Sequence, residues 1–430
     1  MRTFLQGISA RAESSKKYRF KNLYTMLNKL NLLDSWRYIK KDVASGVDGV
    51  SARDYAKNLA TNVGSLVERL KRKGYRTKLV RRSYIPKGKG KERPLGILAT
   101  EDKLLQKAVS RILVAIYEQD FLPYSFGYRP GIGIRESRQA LSKELQNGRY
   151  NYVVEADIKG YFENINHDWL KKMLSHRIDD EAFLRLIEKW LKAGILESGA
   201  KVVHPVTGTP QGGIVSPILA NVYLHYVLDL WFEKEVKPSC KGSVYLCRYA
   251  DDFVVLFQNK IEAEQFYSRL PERLHKFGLS LAKSKSRILS FSKNRISENI
   301  RFDFLGLEYR WGYNRKRSPQ LKCRTSRKKL HKSIVSVTDW CKKHRNDKVS
   351  VIIDKLNSKL RGYFAQYGLI GNFESLQEFY YHVERTLLKW LNRRSDRRSY
   401  TWTSYKVMLR EFGILHPRIT EKRTYQLSLF

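Results

Sequence analysis

The chain has 430 residues, of which 42% are hydrophobic, so it can bury a sizeable core over about three domains. Lys and Arg number 82 against 42 Asp and Glu, a formal net charge of +40. Such an excess opposes compaction unless a polyanion binds, which indicates a nucleic-acid partner. An anionic membrane surface is the alternative, but the charge is spread along the chain rather than gathered in one cluster.

Cysteine usage and hydropathy exclude several other classes. The four cysteines form no C-x-x-C pair, so we expect neither a zinc site nor a disulfide framework. The N-terminus lacks the apolar run of a signal peptide, and no stretch approaches the roughly 20 apolar residues of a membrane span. We therefore expect a soluble, cytoplasmic protein that does not bind membranes.

The first quarter of the chain alternates helical and extended patterns. Apolar residues recur at helical spacing in 16–41 and in 54–73, and the GVDG sequence at 46–49 predicts a turn between them. A β-rich segment at 80–97 is interrupted by PKGKGKERP, whose glycines favour a tight turn, so it predicts a basic hairpin. Residues 101–119 predict a buried helix, because their apolar residues form one stripe.

Three short apolar strands in the middle of the chain end or begin on acidic residues. The strand at 152–157 ends on Asp157. The strands at 244–249 and 253–257 are separated only by Ala250, Asp251 and Asp252, so they predict a hairpin with an acidic turn.

The last third is predicted to be helical and basic. Earlier in the chain, residues 170–191 predict one further helix. After about residue 311, helical patterns dominate as far as residue 390. Residues 310–398 contain 23 Lys and Arg against 7 Asp and Glu, an excess of 16. We expect soft domain boundaries near residues 80, 311 and 396.

The acidic strand ends point to a metal site. Aspartate is disfavoured in strands, and buried carboxylates need a counter-charge. If the strands are neighbours, Asp157, Asp251 and Asp252 converge, and their repulsion raises their pKa values unless divalent cations neutralise them. All-oxygen ligands favour Mg²⁺, and two such ions can activate a primer 3′-hydroxyl and stabilise a leaving pyrophosphate. An acidic pair in a turn is common by itself, so this hypothesis depends on further motifs.

Further motifs follow one another in a specific order. They are GVDGVS (46–51), YIPKGKGKERPLGI (84–97), SFGYRPGIG (125–133), VVEADIKGYFENINHDWL (153–170), GTPQGGIVSPILANVYL (208–224), RYADDFV (248–254), LSLAKSKSRI (279–288) and FDFLGLEYR (302–310). Each block is weak or moderate alone, but the ordered set is highly specific. From about residue 46 to 390 the chain resembles the reverse transcriptases encoded by bacterial group II introns.

The resemblance implies an α+β fold of the right-hand polymerase type, with fingers and palm on an antiparallel sheet and a mostly helical thumb/maturase domain. It implies an N-terminal helical extension and the start of the fingers in 1–80, and fingers and palm in 81–310. The thumb/maturase domain is expected in 311–395. Residues 396–430 are expected to form a short basic tail, a candidate for a reduced DNA-binding region.

The resemblance also assigns catalytic roles. Asp157 and Asp251 match the metal-binding carboxylates of the family, with Asp252 as the third acid. Lys285 matches a lysine proposed to protonate the leaving pyrophosphate, although a charged surface explains it equally well. Phe162 matches the bulky residue that clashes with a 2′-hydroxyl and so favours dNTPs over rNTPs. The alternative for Phe162 is an ordinary core residue.

Nucleotide binding is assigned to the basic hairpin and to the PQGG block. Lys87 and Arg93 match residues that grip the incoming triphosphate, as suits a point charge and a planar fork on phosphate oxygens. Arg81 is a candidate to join them, and Gln211 matches a residue packed near the nucleotide. The alternative for the hairpin cations is ordinary solvation.

RNA binding is assigned to DKLNSKLRGYFAQYG (354–368), which resembles the thumb or maturase region of the same family. Lys355, Lys359 and Arg361 are interleaved with aromatic residues, among them Tyr363, as suits phosphate contact and base stacking. The alternative is an amphipathic core helix whose aromatic residues face inward.

The resemblance implies an RNA-directed DNA polymerase that uses two Mg²⁺ ions, dNTPs, an RNA template and a DNA primer. Its partners would be group II intron RNA, for splicing and mobility, and target DNA. One alternative is an RNA-binding maturase that assists splicing without polymerising, although all three acids are intact. Another is a related enzyme domesticated for defence. The His, Asn and paired Cys cluster of the family's endonuclease is missing, so we expect no second-strand cleavage.

Overall fold

The computed structural model describes residues 2–88, 91–197, 202–209, 212–297, 299–394, 397 and 399–421, without the side chains of residues 2, 3, 87, 88 and 91. The chain divides into two compact units. Unit 1 comprises Met1–Glu144 and Gly148–Leu289, and unit 2 comprises Leu145–Asn147 and Ser290–Phe430.

The described residues form both α-helices and β-strands. The α-helices are α1 (Arg2–Ser14), α2 (Lys29–Trp36), α3 (Ala52–Lys57), α4 (Leu59–Lys71), α5 (Thr100–Tyr117), α6 (Ile134–Asn147), α7 (His167–Ser175), α8 (Glu181–Leu191), α9 (Ser216–Leu224), α10 (Lys237–Ser239), α11 (Lys260–His275), α12 (Arg327–His344), α13 (Val349–Tyr367), α14 (Phe373–Leu391) and α15 (Trp402–Glu411). The strands are β1 (Val80–Gly88), β2 (Lys91–Ile97), β3 (Tyr152–Asp157), β4 (Ile195–Leu196), β5 (Val202–Val203), β6 (Val244–Tyr249), β7 (Asp252–Phe257), β8 (Arg287–Ser290), β9 (Arg301–Phe304), β10 (Leu307–Tyr313) and β11 (Pro319–Thr325).

One sheet of unit 1 has the strand order β6-β7-β3-β8. The central strand β7 pairs antiparallel with both β6 and β3, and α11 packs against β3 and β7. Every residue of 253–257 is buried. The strand is covered on both faces, which explains why its sequence is a continuous apolar run. Burial of each large apolar side chain contributes about 1.5–3 kcal/mol. The acidic end of the hairpin is therefore attached to a rigid core.

A second sheet of unit 1 has the order β2-β1-β4-β5. Strands β1 and β2 form the predicted basic hairpin, and β1 also pairs in parallel with β4. The base of this sheet rests on a small apolar cluster of Val80, Leu98, Ala193 and Ile195. The predicted buried helix at 101–119 is confirmed as α5, which also belongs to unit 1.

Unit 2 combines a three-stranded antiparallel sheet, β11-β10-β9, with the helices α12 to α15. Helices α12 and α14 pack against each other. Leu356, Leu360 and Phe364 of α13 and Leu376 and Phe379 of α14 are at most 2% exposed. Their spacing of three or four residues puts them on one face of each helix, which faces the core.

Two predicted helices are divided in the structure. The segment 54–73 forms α3 and α4 with a break at Asn58, and 170–191 forms α7 and α8 with a break at 176–180. The second break is specified locally, because the side chain of Asp180 caps α8 by accepting from the backbone N–H of Phe183 at 3.0 Å.

The secondary-structure predictions for 16–41 and for the residues just after 311 were wrong. In the segment 16–41 only α2 and one short turn are helical, whereas α1 was not predicted. Strands do not fade after residue 311, since β10 and β11 extend the sheet of unit 2 to Thr325. The predicted tail contains α15. Among the helices of the described residues, none has the length and apolar character needed to cross a bilayer.

His225 begins a π-helical segment, His225–Asp229, in the core of unit 1. Its imidazole is 4% exposed and its Nδ1 has no hydrogen-bond partner within the described residues. Burial lowers the pKa of His225 to about 4, although the nearby carboxylate of Asp229 acts in the opposite direction. The folded protein therefore holds this histidine neutral.

The buried His225 should make unit 1 acid-sensitive. An unfolded histidine has a pKa near 6.5, so the unfolded chain binds the additional proton between pH 6.5 and about 4. The contribution of His225 to stability is complete above pH 6.5 and is lost as the pH falls towards 4, on the order of 3 kcal/mol. Denaturant midpoints measured at pH 7 and pH 5 should differ less for His225→Leu than for the wild type. The control His275→Leu removes an exposed imidazole and should keep the wild-type difference, and an unchanged difference in His225→Leu would contradict the prediction.

Candidate active site

The predicted adjacency of the acidic strand ends is confirmed. Asp157 ends β3 and Asp252 begins β7, and the two residues are direct cross-strand partners. Residues in this relation have Cβ atoms about 4.5–5.5 Å apart. Asp251 lies in the two-residue turn, Ala250-Asp251, that joins β6 to β7. The three acidic residues therefore lie at the same end of β3 and β7, a place that we call the acidic edge.

The turn itself is strained. Ala250 has a φ of +57°, a conformation that two-residue hairpin loops usually assign to glycine. This costs about 1–2 kcal/mol for a residue with a Cβ atom. Gly127 of the SFGYRPGIG block packs directly against the turn, because a Cβ atom on Gly127 would lie 2.3 Å from the amide nitrogen of Ala250. The glycine in this block thus permits the close approach that supports the acidic turn.

A buried arginine stabilises the turn by donating a hydrogen bond to its backbone. Arg248 is fully buried and forms a bidentate pair with the fully buried Asp229, at 2.7 Å from Nε and 2.6 Å from Nη2. Its remaining hydrogen bonds go to Asn221 Oδ1 at 3.2 Å, Ser125 Oγ at 2.6 Å and the carbonyl of Ala250 at 3.1 Å. One guanidinium therefore connects the hairpin to three other segments of unit 1.

Asp157 is contacted by the segment that precedes β8. The Nζ of Lys285 donates a hydrogen bond to Asp157 Oδ2. The backbone N–H of Ala282 donates to the Asp157 carbonyl at 2.8 Å, and the Asp157 N–H donates to Ser286 Oγ at 3.3 Å. The LSLAKSKSRI block thus reaches the acidic edge, as the resemblance implied. The hydrogen bond to Asp157 raises the pKa of Lys285, so its ammonium stays protonated.

The carboxylates influence one another. Burial raises the pKa of Asp251, and the negative charge of Asp157 raises it further. The positive charges of Arg93 and Lys285 act in the opposite direction. The site therefore concentrates negative charge in a partly desolvated place, where a cation is the natural complement.

The metal prediction can be tested against this donor set. Across the described part of the chain, no three His, Cys, Asp or Glu side chains stand in an arrangement ready to hold an ion. Mg²⁺ does not require one, because it usually binds through one or two carboxylates and completes its shell with water and substrate phosphates. Asp157 and Asp251 supply such a pair, with Asp252 adjacent, so the residues present fit a divalent cation.

Phe162, the predicted sugar gate, follows the end of β3 by five residues. Phe162 is half-buried in a short 3-10 helix, Tyr161–Glu163. Gly208 and Thr209 run alongside it, since the N–H of Thr209 donates to the Phe162 carbonyl and that of Gly208 to the Ile165 carbonyl, both at 2.8 Å. Phe162 therefore does not belong to the fully buried core.

The basic hairpin presents two of its predicted cations on one face. Ile85 is the cross-strand partner of Arg93, and Arg81 lies four residues before Ile85 on the same strand, so Arg81 and Arg93 share a face. Both are exposed, and Arg81 donates to the carbonyl of Ser45 at 2.7 Å. The predicted contacts of the Lys87 side chain and of Gln211 fall outside the described residues.

The cations predicted to bind RNA lie on the surface of unit 2. Lys355, Lys359 and Arg361 are all exposed on α13. Lys355 forms an ion pair with Asp347 at 3.4 Å, and the ammonium of Lys359 lies 5.3 Å from the ring centroid of Trp340.

The prediction that Tyr363 contacts RNA was wrong. Its side chain is 8% exposed, and its ring stacks on Phe379 with centroids 3.8 Å apart. Phe364 and Tyr367 are buried as well. The aromatic residues of α13 therefore belong to the core of unit 2, whereas its cations Lys355, Lys359 and Arg361 face solvent.

Sequence reasoning missed a second cationic surface in unit 2, which we call the Trp390 cluster. Lys342, Arg345, Lys389 and Arg393 each place their charge 5.5–5.8 Å from the ring centroid of Trp390. None of the four forms a salt bridge with an acid in the described part of unit 2. The concentrated, uncompensated charge beside a half-exposed indole suits a polyanion that also offers flat bases.

Sequence reasoning also missed Arg248 and Tyr128. An arginine in the middle of an apolar strand was the available signal for Arg248, because a buried charge requires a partner. Tyr128 has a φ of +59°, its ring contacts that of Phe162, and no local pattern identifies either property. Burial and the negative charge of Asp251 raise the pKa of Tyr128, so its hydroxyl stays protonated.

The mixture of helices and antiparallel sheets is an α+β fold of the right-hand polymerase type. Residues 85–309, more than half of the chain, match the family model described as reverse transcriptase (RNA-dependent DNA polymerase). The chain belongs to this family. Residues 328–408 match the model described as group II intron, maturase-specific domain. Reverse transcriptases generally use divalent metal ions.

Individual relatives agree with this assignment. The group II intron-encoded protein LtrA of Lactococcus lactis subsp. cremoris is 30% identical over 407 residues, which cover 76% of this chain and 67% of LtrA. Protein YkfC of Escherichia coli (strain K12) is 34% identical over 239 residues, 49% of this chain and 62% of YkfC. A 91 kDa protein in the cob intron of Schizosaccharomyces pombe is 36% identical over 216 residues, 50% of this chain and 26% of that protein. The chain thus spans about two thirds or less of these relatives.

The buried ion pair of Arg248 and Asp229 should contribute strongly to the free energy of unfolding of unit 1. Arg248→Met leaves the Asp229 carboxylate buried without its partner, and we expect a loss of about 3–5 kcal/mol in the free energy of unfolding. The double variant Arg248→Met/Asp229→Leu removes both charges and should recover most of that loss. Arg53→Met, which breaks an ion pair whose two side chains are 78% exposed, should cost less than about 1 kcal/mol. Chemical denaturation measures all three, and a double variant as unstable as Arg248→Met would refute the explanation.

Proposed function

We propose that this chain extends a DNA primer on an RNA template with dNTPs and Mg²⁺, and that it binds group II intron RNA to assist splicing and mobility. The cross-strand pairing of Asp157 with Asp252, which brings both beside Asp251, carries the catalytic part of the proposal. This pairing unites carboxylates from distant blocks at the edge of a palm sheet.

Asp157 and Asp251 would hold two Mg²⁺ ions, with Asp252 as the third acid. Bound there, the ions would lower the pKa of the primer 3′-hydroxyl and stabilise charge on the leaving pyrophosphate. The protein residues supply the negative charge and its fixed position. The hydrogen bond from Arg248 to the Ala250 carbonyl and the close packing of Gly127 against Ala250 fix the turn. Asp251 would therefore need no rearrangement before an ion binds.

Lys285 would donate a proton to the leaving pyrophosphate. Its raised pKa keeps the donor protonated at neutral pH, and its hydrogen bond to Asp157 keeps it at the acidic edge. Arg81 and Arg93, on one face of the basic hairpin, would bind the triphosphate together with Lys87, and Gln211 would pack near the nucleotide. Phe162 would exclude the 2′-hydroxyl of an rNTP.

Unit 2 would contact RNA through its exposed cations. The maturase-specific match covers α12 to α14, which carry Lys355, Lys359, Arg361 and the Trp390 cluster. The name of LtrA connects that relative to a group II intron. Intron RNA is the proposed partner of these cations here, and target DNA is a further proposed partner of the chain.

The same match favours a second candidate, a maturase that acts mainly as a splicing cofactor. It differs from the first in requiring RNA affinity but no nucleotidyl transfer. The two are separable, because the carboxylates lie in unit 1 and the Trp390 cluster in unit 2. A domesticated reverse transcriptase would retain synthesis without any dependence on intron RNA.

Loss of one carboxylate should separate synthesis from RNA binding. Asp251→Asn keeps the size of the side chain but removes the charge, and primer extension on an RNA template with Mg²⁺ should fall by at least about 1000-fold. Affinity for intron RNA should change less than about two-fold, because the surface cations are untouched. Asp42→Asn, at an exposed position, is the control and should retain both properties.

The outcomes of that experiment distinguish the candidates. A wild-type chain that incorporates no dNTP overturns the polymerase proposal, and full synthesis by Asp251→Asn overturns the metal assignment. Splicing that survives in Asp251→Asn would separate the maturase role from catalysis.

The Trp390 cluster should set part of the salt dependence of RNA binding. Lys342→Gln/Arg345→Gln removes two cations that have no acidic partner among the described residues, so the slope of log affinity against log salt should fall by about 1 to 2. Filter binding of intron RNA between about 50 and about 500 mM KCl, a range of about one decade, measures the slope. Lys57→Gln/Lys71→Gln removes two lysines already paired with Asp54 and Glu68 and is the matched control. Equal slopes for both double variants would exclude the cluster as an RNA contact.

A further inference from the structure

Tyr128 combines a strained backbone with an exposed aromatic side chain. Its φ of +59° is rare for a bulky residue, and such outliers persist only where the surrounding structure determines them. Yet its side chain is not used in the core, since the residue is 44% exposed. The strain therefore needs a cause in the neighbouring residues and a use at the surface.

The cause is a pair of anchors on either side of Tyr128. Gly127 is pressed against the backbone of Ala250, and its carbonyl accepts a hydrogen bond from Asn221 Nδ2. On the other side, the nearly buried Arg129 donates to the carbonyl of Ser125 at 2.7 Å. It also donates from Nε to Glu118 at 2.8 Å. The chain must therefore turn sharply at Tyr128 to satisfy both anchors.

The consequence is the position of the Tyr128 ring. It meets the ring of Phe162 edge to face, with centroids 6.2 Å apart and an interplanar angle of 82°. Tyr161 contacts Phe162 at 5.5 Å, and Tyr161 is immobilised because its hydroxyl donates to the carbonyl of Ala220 at 2.5 Å. Phe162 thus contacts two rings, the immobilised ring of Tyr161 and the ring of Tyr128.

We propose that Tyr128 is a positioning residue for sugar selection, which holds the Phe162 ring against displacement by a ribonucleotide 2′-hydroxyl. The inference rests on the proposed polymerase function and on the gate role of Phe162. A steric gate discriminates between sugars only as far as its side chain resists displacement by the 2′-hydroxyl. A ring with one packing contact changes rotamer more easily than a ring with two. Tyr128 supplies the support that the core cannot, because Phe162 is only half-buried.

Three substitutions at Tyr128 separate the ring from the backbone strain. Tyr128→Phe keeps the ring, Tyr128→Ala removes it and keeps a Cβ atom at positive φ, and Tyr128→Gly removes both the ring and the strain. Steady-state insertion of a single dCTP or CTP opposite a template G, with the full chain and Mg²⁺, gives kcat/KM for each sugar.

We expect Tyr128→Phe to keep the wild-type preference for dCTP. Tyr128→Ala and Tyr128→Gly should both lower the preference by roughly 2- to 12-fold, through faster insertion of CTP, the range that corresponds to one aromatic pair. Insertion of dCTP should stay within about two-fold of wild type, because the contact acts on Phe162 rather than on the triphosphate. Tyr38→Ala, which truncates a tyrosine 58% exposed elsewhere in unit 1, should not alter either value.

A Phe162→Ala background tests the indirect route. There the gate is absent, so adding Tyr128→Ala should change the sugar preference no further, whereas independent effects would add. Additive effects overturn the positioning role. Equal losses for dCTP and CTP in Tyr128→Ala also overturn it, since they indicate general damage or direct nucleotide contact.

Failure of the underlying proposals looks different. If the wild type inserts no dCTP, the polymerase proposal and this inference both fall. If Phe162→Ala leaves the sugar preference unchanged, the gate role and this inference fall while the polymerase stands. If Phe162→Ala lowers the preference and Tyr128→Ala does not, only the role of Tyr128 is excluded.

Discussion

The buried pair of Arg248 and Asp229 is the interaction on which the rest of the site depends. Two unpaired charges at this depth would cost several kcal/mol each, so the pair persists only because every side of the guanidinium is bonded. Its bond to the carbonyl of Ala250 transfers that rigidity to the turn that carries Asp251. Its bond to Ser125 does the same for the segment leading to Tyr128. The acidic turn and the segment that leads to Tyr128 thus share one anchor.

Charge is divided between the two units according to its task. Unit 1 gathers acids at one sheet edge, where Lys285 and the positive charge of Arg93 offset their repulsion. Unit 2 instead carries four cations around Trp390 that have no acidic partner in its described part, an arrangement that repels itself until an anion binds. The net charge of +40 therefore does not describe any one surface, because a group of acids in unit 1 and a group of cations in unit 2 coexist in the same chain.

The sequence predicted the strands best where their signals are local. The hairpins at β1–β2 and β6–β7 follow from short apolar runs around turn residues, and both are present. The helix prediction at 170–191 erred because apolar spacing continues across a break that Asp180 introduces by capping. Tyr363 was misassigned for a related reason. Tyr363 lies one helical turn after the exposed Lys359, so spacing along α13 does not separate cations from rings, and only packing against Phe379 decides that Tyr363 faces inward.

The sequence by itself determined the chemical inventory: which acids end the strands, which cations occupy the basic hairpin, and which ordered blocks identify the family. These are properties of residue type and short-range spacing, which neighbours in the chain specify. Only the tertiary structure decided that Asp157 stands opposite Asp252, that Asp229 neutralises Arg248, and that Tyr128 meets Phe162. Such pairs are brought together by sheet register and core packing over long stretches of chain. Their energies depend on burial and geometry rather than on local sequence.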